Sequence, residues 1–484
     1  MGRQIERQMI RPFRLPSCLQ AKTIFVVWLL GISTLLSTVI PPFQSPDEFE
    51  HITRAYLLGN GDIVLKAPAG QSSGGMIDAG LARYMDAYSH LPFNPNKKLS
   101  TSEIEAAKTI QWQGVKEFRP ALGMAYYFPG IYVVHTLGLK VGEFLNLSVD
   151  SSYQLTRIFL FIAIGLILYC SFSLYAPSYL TLTLLMIPMS IFQFSSASLD
   201  WLATAIAIFI ISAVLKIINT ANDHQSNTST HANPSTGRIT NAHLFYLVIF
   251  AYLLLASSRL QAMSMLLLVG AAAYALRHKR YFALTGVAAA AVVVWQIVII
   301  NTIVDGRVAL GASSSTIILY YLNQPAEFFG VVRNTLTNTD ILRGYFSSFF
   351  GMLGWLDTPF KGKEHIYLLC ITAAIAACSI DYQKLTKPRV FKATVLALTA
   401  FGSLAAIFLA LLVTWTPHPA QTIDGVVGRY LLIPALLLSY GVTRDISHIG
   451  SMTRVVGGAL LCALTVYSTW ISYQLLLSRY YLTP

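Results

Sequence analysis

Apolar runs of about twenty residues recur along nearly the whole chain, and that is the length a bilayer core demands of a helix that crosses it. Of the 484 residues 55% are apolar and only 12% charged, and the mean hydropathy is +0.57. This excludes a soluble domain and places the chain among all-α polytopic membrane proteins. Runs near 22–40, 153–174, 177–194, 198–219, 243–256, 260–276, 281–303, 364–380, 393–415, 429–446 and 455–478 predict about eleven spans. The first run, Lys22 to Ile40, is too long for a cleaved signal peptide. No small-residue cleavage site precedes Pro41-Pro42 either, so it is expected to remain as the first helix.

Charge placement sets the orientation. Arg3, Arg7, Arg11, Arg14 and Lys22 form a basic arm, residues 1–21, that holds the amino terminus in the cytoplasm. Further basic clusters at Arg277-His278-Lys279-Arg280, Lys384 to Lys392 and Arg444 to Arg454 then fall on the same side. They account for the net charge of +12 as an orientation signal, with no call for nucleic acid. An amino-terminal helix module, 22–219, is followed by an Asn/Ser/Thr-rich cytoplasmic linker, 220–242, and a carboxy-terminal module, 243–484. The far face carries loops 41–152, 304–363 and 416–428. Within the first of these, Gly123 to Leu139 is short and holds Pro129 and His135, so it reads as a juxtamembrane helix lying at the interface. Four cysteines lie within spans and Cys18 lies in the arm, which leaves the external loops to hold their shape by packing alone.

The chemistry is concentrated at the external helix ends. Ser45-Pro46-Asp47-Glu48-Phe49-Glu50-His51-Ile52-Thr53-Arg54 brings carboxylates, an imidazole and a guanidinium together just beyond the first span. A capping box explains part of it, with Ser45 as N-cap, proline in the first helical position and Glu48 folding back. It leaves Asp47 unexplained. On a helix beginning there, Asp47, His51 and Arg54 share a face, while Glu50 and Arg54 have ion-pair spacing. An anionic aspartate at a positive helix end suits a general base. Asp200 stands at the mouth of another span, with Arg259 at a further helix end, where snorkelling competes with contact to an anionic headgroup. Arg429-Tyr430 opens a span after Asp424-Gly425, and a guanidinium at that depth can grip a phosphate with two hydrogen bonds. The charges of the second loop, including Asp305 and Arg307, are expected to be solvated, and Trp355 to sit in the interfacial belt or stack on a sugar.

Taken together, Pro41-Pro42-Phe43-Gln44-Ser45-Pro46-Asp47-Glu48 with His51 and Arg54-Ala55-Tyr56, then Phe192-Gln193 to Asp200, Gly351 to Asp357, and Gly425-Val426-Val427-Gly428-Arg429-Tyr430 resemble a bacterial group. That group comprises multispan membrane proteins of unknown function that belong with the C-type (GT-C) glycosyltransferase superfamily. The pieces cover residues 20 to 450 in order. Arg259 stands where the group's pattern has a lysine, and Val427 where glutamine is commoner.

The resemblance implies a GT-C-like bundle with juxtamembrane helices in its first periplasmic loop. It also implies an enzyme that moves a sugar from a polyprenyl-phosphate carrier to a glycan or glycolipid acceptor, such as lipopolysaccharide O-antigen, on the periplasmic face of the bacterial inner membrane. Asp47 is the implied catalytic base. Glu48, His51, Arg54, Asp200, Arg259, Arg429 and Tyr430 are the implied substrate-binding residues, with Arg429 first and Arg259 second in line for the phosphate. Asp200 would orient the acceptor or, with Asp47, hold a divalent cation, since the superfamily has members of both kinds. A carrier-charging glycosyltransferase and a small flippase are the implied partners. A polysaccharide polymerase or ligase shares the lipid-phosphate chemistry but needs basic residues for two polyanions. A flippase would place charges at mid-membrane, where these spans are nearly free of them.

Overall fold

The computed structural model describes residues 17–226, 234–307, 310–382, 386–446 and 449–482. Helices dominate, and among the described residues five are long and apolar enough to cross a bilayer: Val149–Leu174, Leu199–Asn222, Lys279–Thr302, Lys387–Thr414 and Ser451–Tyr480. Four shorter apolar helical segments accompany them, Ala21–Ser37, Asn241–Ala256, Leu260–Leu276 and Gly428–Val442. Leu199–Asn222 is the central post, with 83% of its apolar window buried against 17% for the peripheral Lys279–Thr302. Its alanines Ala203, Ala205, Ala207 and Ala213 are all buried, and such small residues let neighbouring helices approach closely.

The two remaining apolar runs fold as Gly362–Ser379 and as a pair of short helices, Tyr179–Met186 and Pro188–Phe194. The break in the pair has a local cause, because Pro188 cannot continue the hydrogen-bond ladder and drives Ile187 to an extended conformation. Side chains tie the break together, and the carbonyl that Pro188 leaves without a donor is that of Leu184. Ser190 Oγ donates to Leu184 O at 2.8 Å, and the Trp201 indole donates to Ser190 O. Backbone that leaves the helix at this depth is tolerated only when it is paired in this way.

The region 41–152 is not purely helical. Strand Gly74–Asp78 pairs antiparallel with Lys116–Pro120, and a second small ladder joins Met352–Leu353 to Thr358–Pro359 in the other large loop. The structure is consistent with the all-α expectation, with these two short ladders as the departures from it. The run Gly123 to Leu139 becomes two tight turns, Met124–Tyr126 and Pro129–Tyr132, leading into helix Val133–Phe144. That helix packs on Glu48–Gly59 and on Val149–Leu174. A Cβ at Gly138 would lie 2.4 Å from Thr156 Cα, so this crossing requires glycine.

Loop 304–363 carries three helices, Ser314–Asn323, Pro325–Thr337 and Thr339–Phe350, the last ending in the aromatic run. Helices Leu199–Ser226 and Pro234–Ala256 extend into the expected linker 220–242, and its residues 227–233 lie outside the described residues. So does most of the basic arm: helix Ser17–Ser37 begins near its end. The four cysteines with described side chains, Cys170, Cys370, Cys378 and Cys462, are free.

Candidate functional site

Four helix ends converge on one cluster of charge. Asp47 is the residue before helix Glu48–Gly59, with left-handed backbone (φ 64°, ψ 10°) and a side chain that caps nothing. Aspartate tolerates that region better than most residues. Its carboxylate therefore faces outward from the helix and accepts from Arg429 Nη2 at 2.7 Å. Arg429 is the second residue of the turn Gly428–Leu431 that opens helix Leu432–Val442. Asp200 is the second residue of Leu199–Ser226, and Arg259 directly precedes the turn Leu260–Met265.

The two carboxylates are held differently. Asp200 accepts from Gln193 Nε2 at 2.9 Å, is ion-paired with Arg259, and lies 3.9 Å from Arg429 Nε. Among the described residues the Asp47 carboxylate accepts from Arg429 alone, and its side chain is 26% exposed against 15% for Asp200. Both guanidiniums are buried, Arg259 lying over the ring of Tyr127 at 5.1 Å and Arg429 over Tyr430 at 5.2 Å. Arg429 Nε and Nη1 and Arg259 Nε make no hydrogen bond within the protein. The cleft between them, of about 20 Å³, is lined by Gln193, Asp200, Arg259, Gln261, Arg429 and Tyr430 among others. Two positive and two negative charges thus meet at low exposure, with guanidinium donors left over.

Other residues singled out by sequence take supporting places. Glu48 is fully buried and does fold back to Ser45 N at 3.1 Å, but Ser45 Oγ has no partner and the helix starts at Glu48 itself. The capping box is half formed because Glu48 N donates to the Ser45 carbonyl instead of its hydroxyl, and the second Glu48 oxygen accepts from Tyr153 Oη at 2.5 Å and Ala197 N at 2.7 Å. With three internal donors, Glu48 pins the first loop to two spans and has no place in the cleft. Arg54 does not pair with Glu50. It donates to the carbonyls of Asp62 and Ile63 at 2.8 and 2.6 Å and so closes the end of its own helix, off the face expected for it. His51 Nδ1 lies 2.8 Å from Tyr132 Oη, and burial, reinforced by the Arg259 charge, pulls the imidazole down to about 3. It is a neutral group behind the cluster.

Sequence reasoning missed a third cation. Arg307 is bound to Asp305 at 2.7 Å, lies over Trp415 at 4.8 Å, and its charge acts on both Asp47 and Glu50. Asp305 also accepts from Gly123 N at 3.0 Å. Nothing local in the second loop marks this pair, because the groups it touches are Gly123 and Trp415, and the Arg307 charge acts on Asp47 and Glu50 from outside the loop's own sequence. Glu50, one turn beyond Asp47, has its carboxyl pushed up to about 7 by burial and then by the Asp47 charge. Trp355 donates to Phe43 O at 2.9 Å and packs between Phe49 and Phe93, so it is a structural brace beneath the Asp47 turn. Asp357 accepts from Phe93 N and Arg479 Nη2, at 2.9 and 3.1 Å, tying the last helix to the first loop.

A family model described as predicted membrane protein (DUF2142) matches residues 29–438. The chain belongs to the DUF2142 family. All four clustered residues, Asp47, Asp200, Arg259 and Arg429, lie inside the matched stretch. No curated protein and no solved structure matches the chain. In this DUF2142 member Asp47 and Asp200 each face a guanidinium, and the described residues contain no group of three His, Cys, Asp or Glu placed to hold an ion.

Proposed function

We propose that this DUF2142 protein is an inverting membrane glycosyltransferase that moves a sugar from a polyprenyl-phosphate carrier to a glycan or glycolipid acceptor. One observation carries the reading: two buried guanidiniums with unfilled donors, Arg429 and Arg259, share a cleft at the helix ends with Asp47 in hydrogen-bond contact. A carrier phosphate rides at headgroup level, and guanidiniums fixed at helix ends are suited to its oxygens.

In this reading Asp47 takes the proton of the acceptor hydroxyl as its oxygen attacks the anomeric carbon. The bond from that carbon to the phosphate oxygen breaks, its electron pair leaves with the phosphate, and the anomeric configuration inverts. Arg429 and Arg259 stabilise the charge that gathers on the departing phosphate. Asp200 keeps both guanidiniums in place, and Tyr430 flanks Arg429. The near-neutral charge of the cluster supports one anionic substrate over the two polyanions that a polymerase or ligase would hold. All eleven apolar segments then cross a bacterial inner membrane, and the cluster opens to the periplasm.

The test is transfer of labelled sugar from polyprenyl monophosphate to an envelope glycan in membranes with and without the protein. Carrier left intact in both would reject the reading.

A further inference from the structure

The unequal hold on the two carboxylates has a mechanical meaning. Asp200 is fixed by Gln193, by Arg259 and by the nearby Arg429, so it is the anchor of both guanidiniums. Asp47 is attached through one oxygen to Arg429 Nη2, caps nothing on its own helix, and is the most exposed of the four. Arg429 meanwhile keeps two further nitrogens, Nε and Nη1, buried without a hydrogen bond. A phosphate oxygen arriving at Arg429 competes for the same fork of donors, and phosphate can engage a guanidinium through two parallel bonds.

We propose that the Asp47–Arg429 pair is a substrate-operated latch: a phosphate ester entering between Arg429 and Arg259 replaces the Asp47 carboxylate on Arg429 and frees it for the acceptor. The identity of the phosphate as a lipid carrier rests on the glycosyltransferase reading; the exchange itself does not. The displaced carboxylate has a second cation within electrostatic reach, Arg307, which Asp305 and the face of Trp415 hold in place. It therefore leaves one guanidinium without losing all counter-charge. Binding is ordered as a result. The base is masked until the phosphate is seated, so the acceptor, or water, is activated only when the donor is present.

The latch makes an unusual demand on Asp47→Asn. A carboxylate that competes with phosphate weakens phosphate binding, so its removal strengthens it. Titrating the full-length protein in detergent with farnesyl phosphate, and separately with inorganic phosphate, should show the Asp47→Asn protein binding about tenfold tighter than wild type, the scale of one charge-assisted hydrogen bond. Asp47→Ser, tested beside it, should show the same gain. Equal or weaker binding by both variants overturns the latch. Arg429→Ala should lose farnesyl phosphate binding in either background, and retained binding also overturns the proposal. A gain seen with inorganic phosphate, with no added affinity from the prenyl chain, upholds the latch and assigns it to a free anion. Tighter binding in Asp47→Asn with no sugar transfer by wild type upholds the latch and rejects the glycosyltransferase. Transfer lost in Asp47→Asn without gained affinity rejects the latch alone.

Discussion

Arg429 donates to Asp47 across 2.7 Å although 382 residues separate them in the chain. The contact joins the start of helix Glu48–Gly59 to the opening of a late apolar helix, and Asp200 lies 3.9 Å from the same guanidinium.

Glu48 stands immediately beside Asp47 and has the opposite role. Its carboxylate accepts from Ser45 N, Tyr153 Oη and Ala197 N in a buried site. Glu48→Gln turns an amide donor toward groups that themselves donate, which costs on the order of 2–4 kcal/mol. Thermal unfolding in detergent should show a clear loss of stability, while Asp47→Asn melts near wild type. A Glu48→Gln protein as stable as wild type would contradict the pinning role.

Gly428 fixes where Arg429 points. A Cβ there would lie 2.2 Å from Tyr345 O and 2.2 Å from Phe349 N, both on backbone that cannot yield cheaply. Gly428→Ala should push the Gly428–Leu431 turn away from helix Thr339–Phe350 and weaken farnesyl phosphate binding about as much as Arg429→Ala does. Titration of the folded variant checks this, and unchanged affinity would count against it.

Glu50 gives a pH dependence with a definite sign. Its carboxyl is raised from 4.5 to about 7, by burial first and by Asp47 second. The native state favours the protonated form, so its stabilising contribution is complete below about 4.5 and is lost as pH rises through about 7. The wild-type melting temperature should fall across that window, and Glu50→Gln should flatten the fall. An equal slope in the variant would show that another group is responsible.

Much of the site was legible because each of its members is a charged residue at the edge of an apolar run, where burial of charge demands a reason. Asp47, Asp200, Arg259 and Arg429 could be singled out on that ground, and the structure brings them together. The helices were legible for the same reason that makes membrane chains readable, since every backbone group in an apolar run must be satisfied within the run. What escaped was set by tertiary contact. Arg54 had a matching acid at helical spacing and went instead to carbonyls from the turn after its helix. Glu48 looked like a local cap, yet two of its three partners are 105 and 149 residues away. Arg307 resembled a solvated loop charge, yet it is ion-paired with Asp305, lies over Trp415 and acts electrostatically on Asp47 and Glu50.

Arg479 lies beyond the family match and braces the molecule from its far end. It donates to Asp357 Oδ2 at 3.1 Å and to Leu91 O at 2.7 Å, and its side chain is only 3% exposed. Removing one partner of such a buried pair costs about 3–5 kcal/mol. Arg479→Ala should make the first external loop markedly more sensitive to limited proteolysis, and an unchanged digestion pattern would refute the brace.

The central claim is that Asp47 acts as the base for a sugar carried on a phosphate held by Arg429. The most direct measurement supplies membranes containing wild-type or Asp47→Asn protein with a panel of labelled polyprenyl-phosphate sugars and follows label into envelope glycan. The account predicts label transferred with inverted anomeric configuration by wild type, and none above background by an Asp47→Asn protein of normal melting temperature. Undiminished transfer by Asp47→Asn, or product with retained configuration, would contradict it.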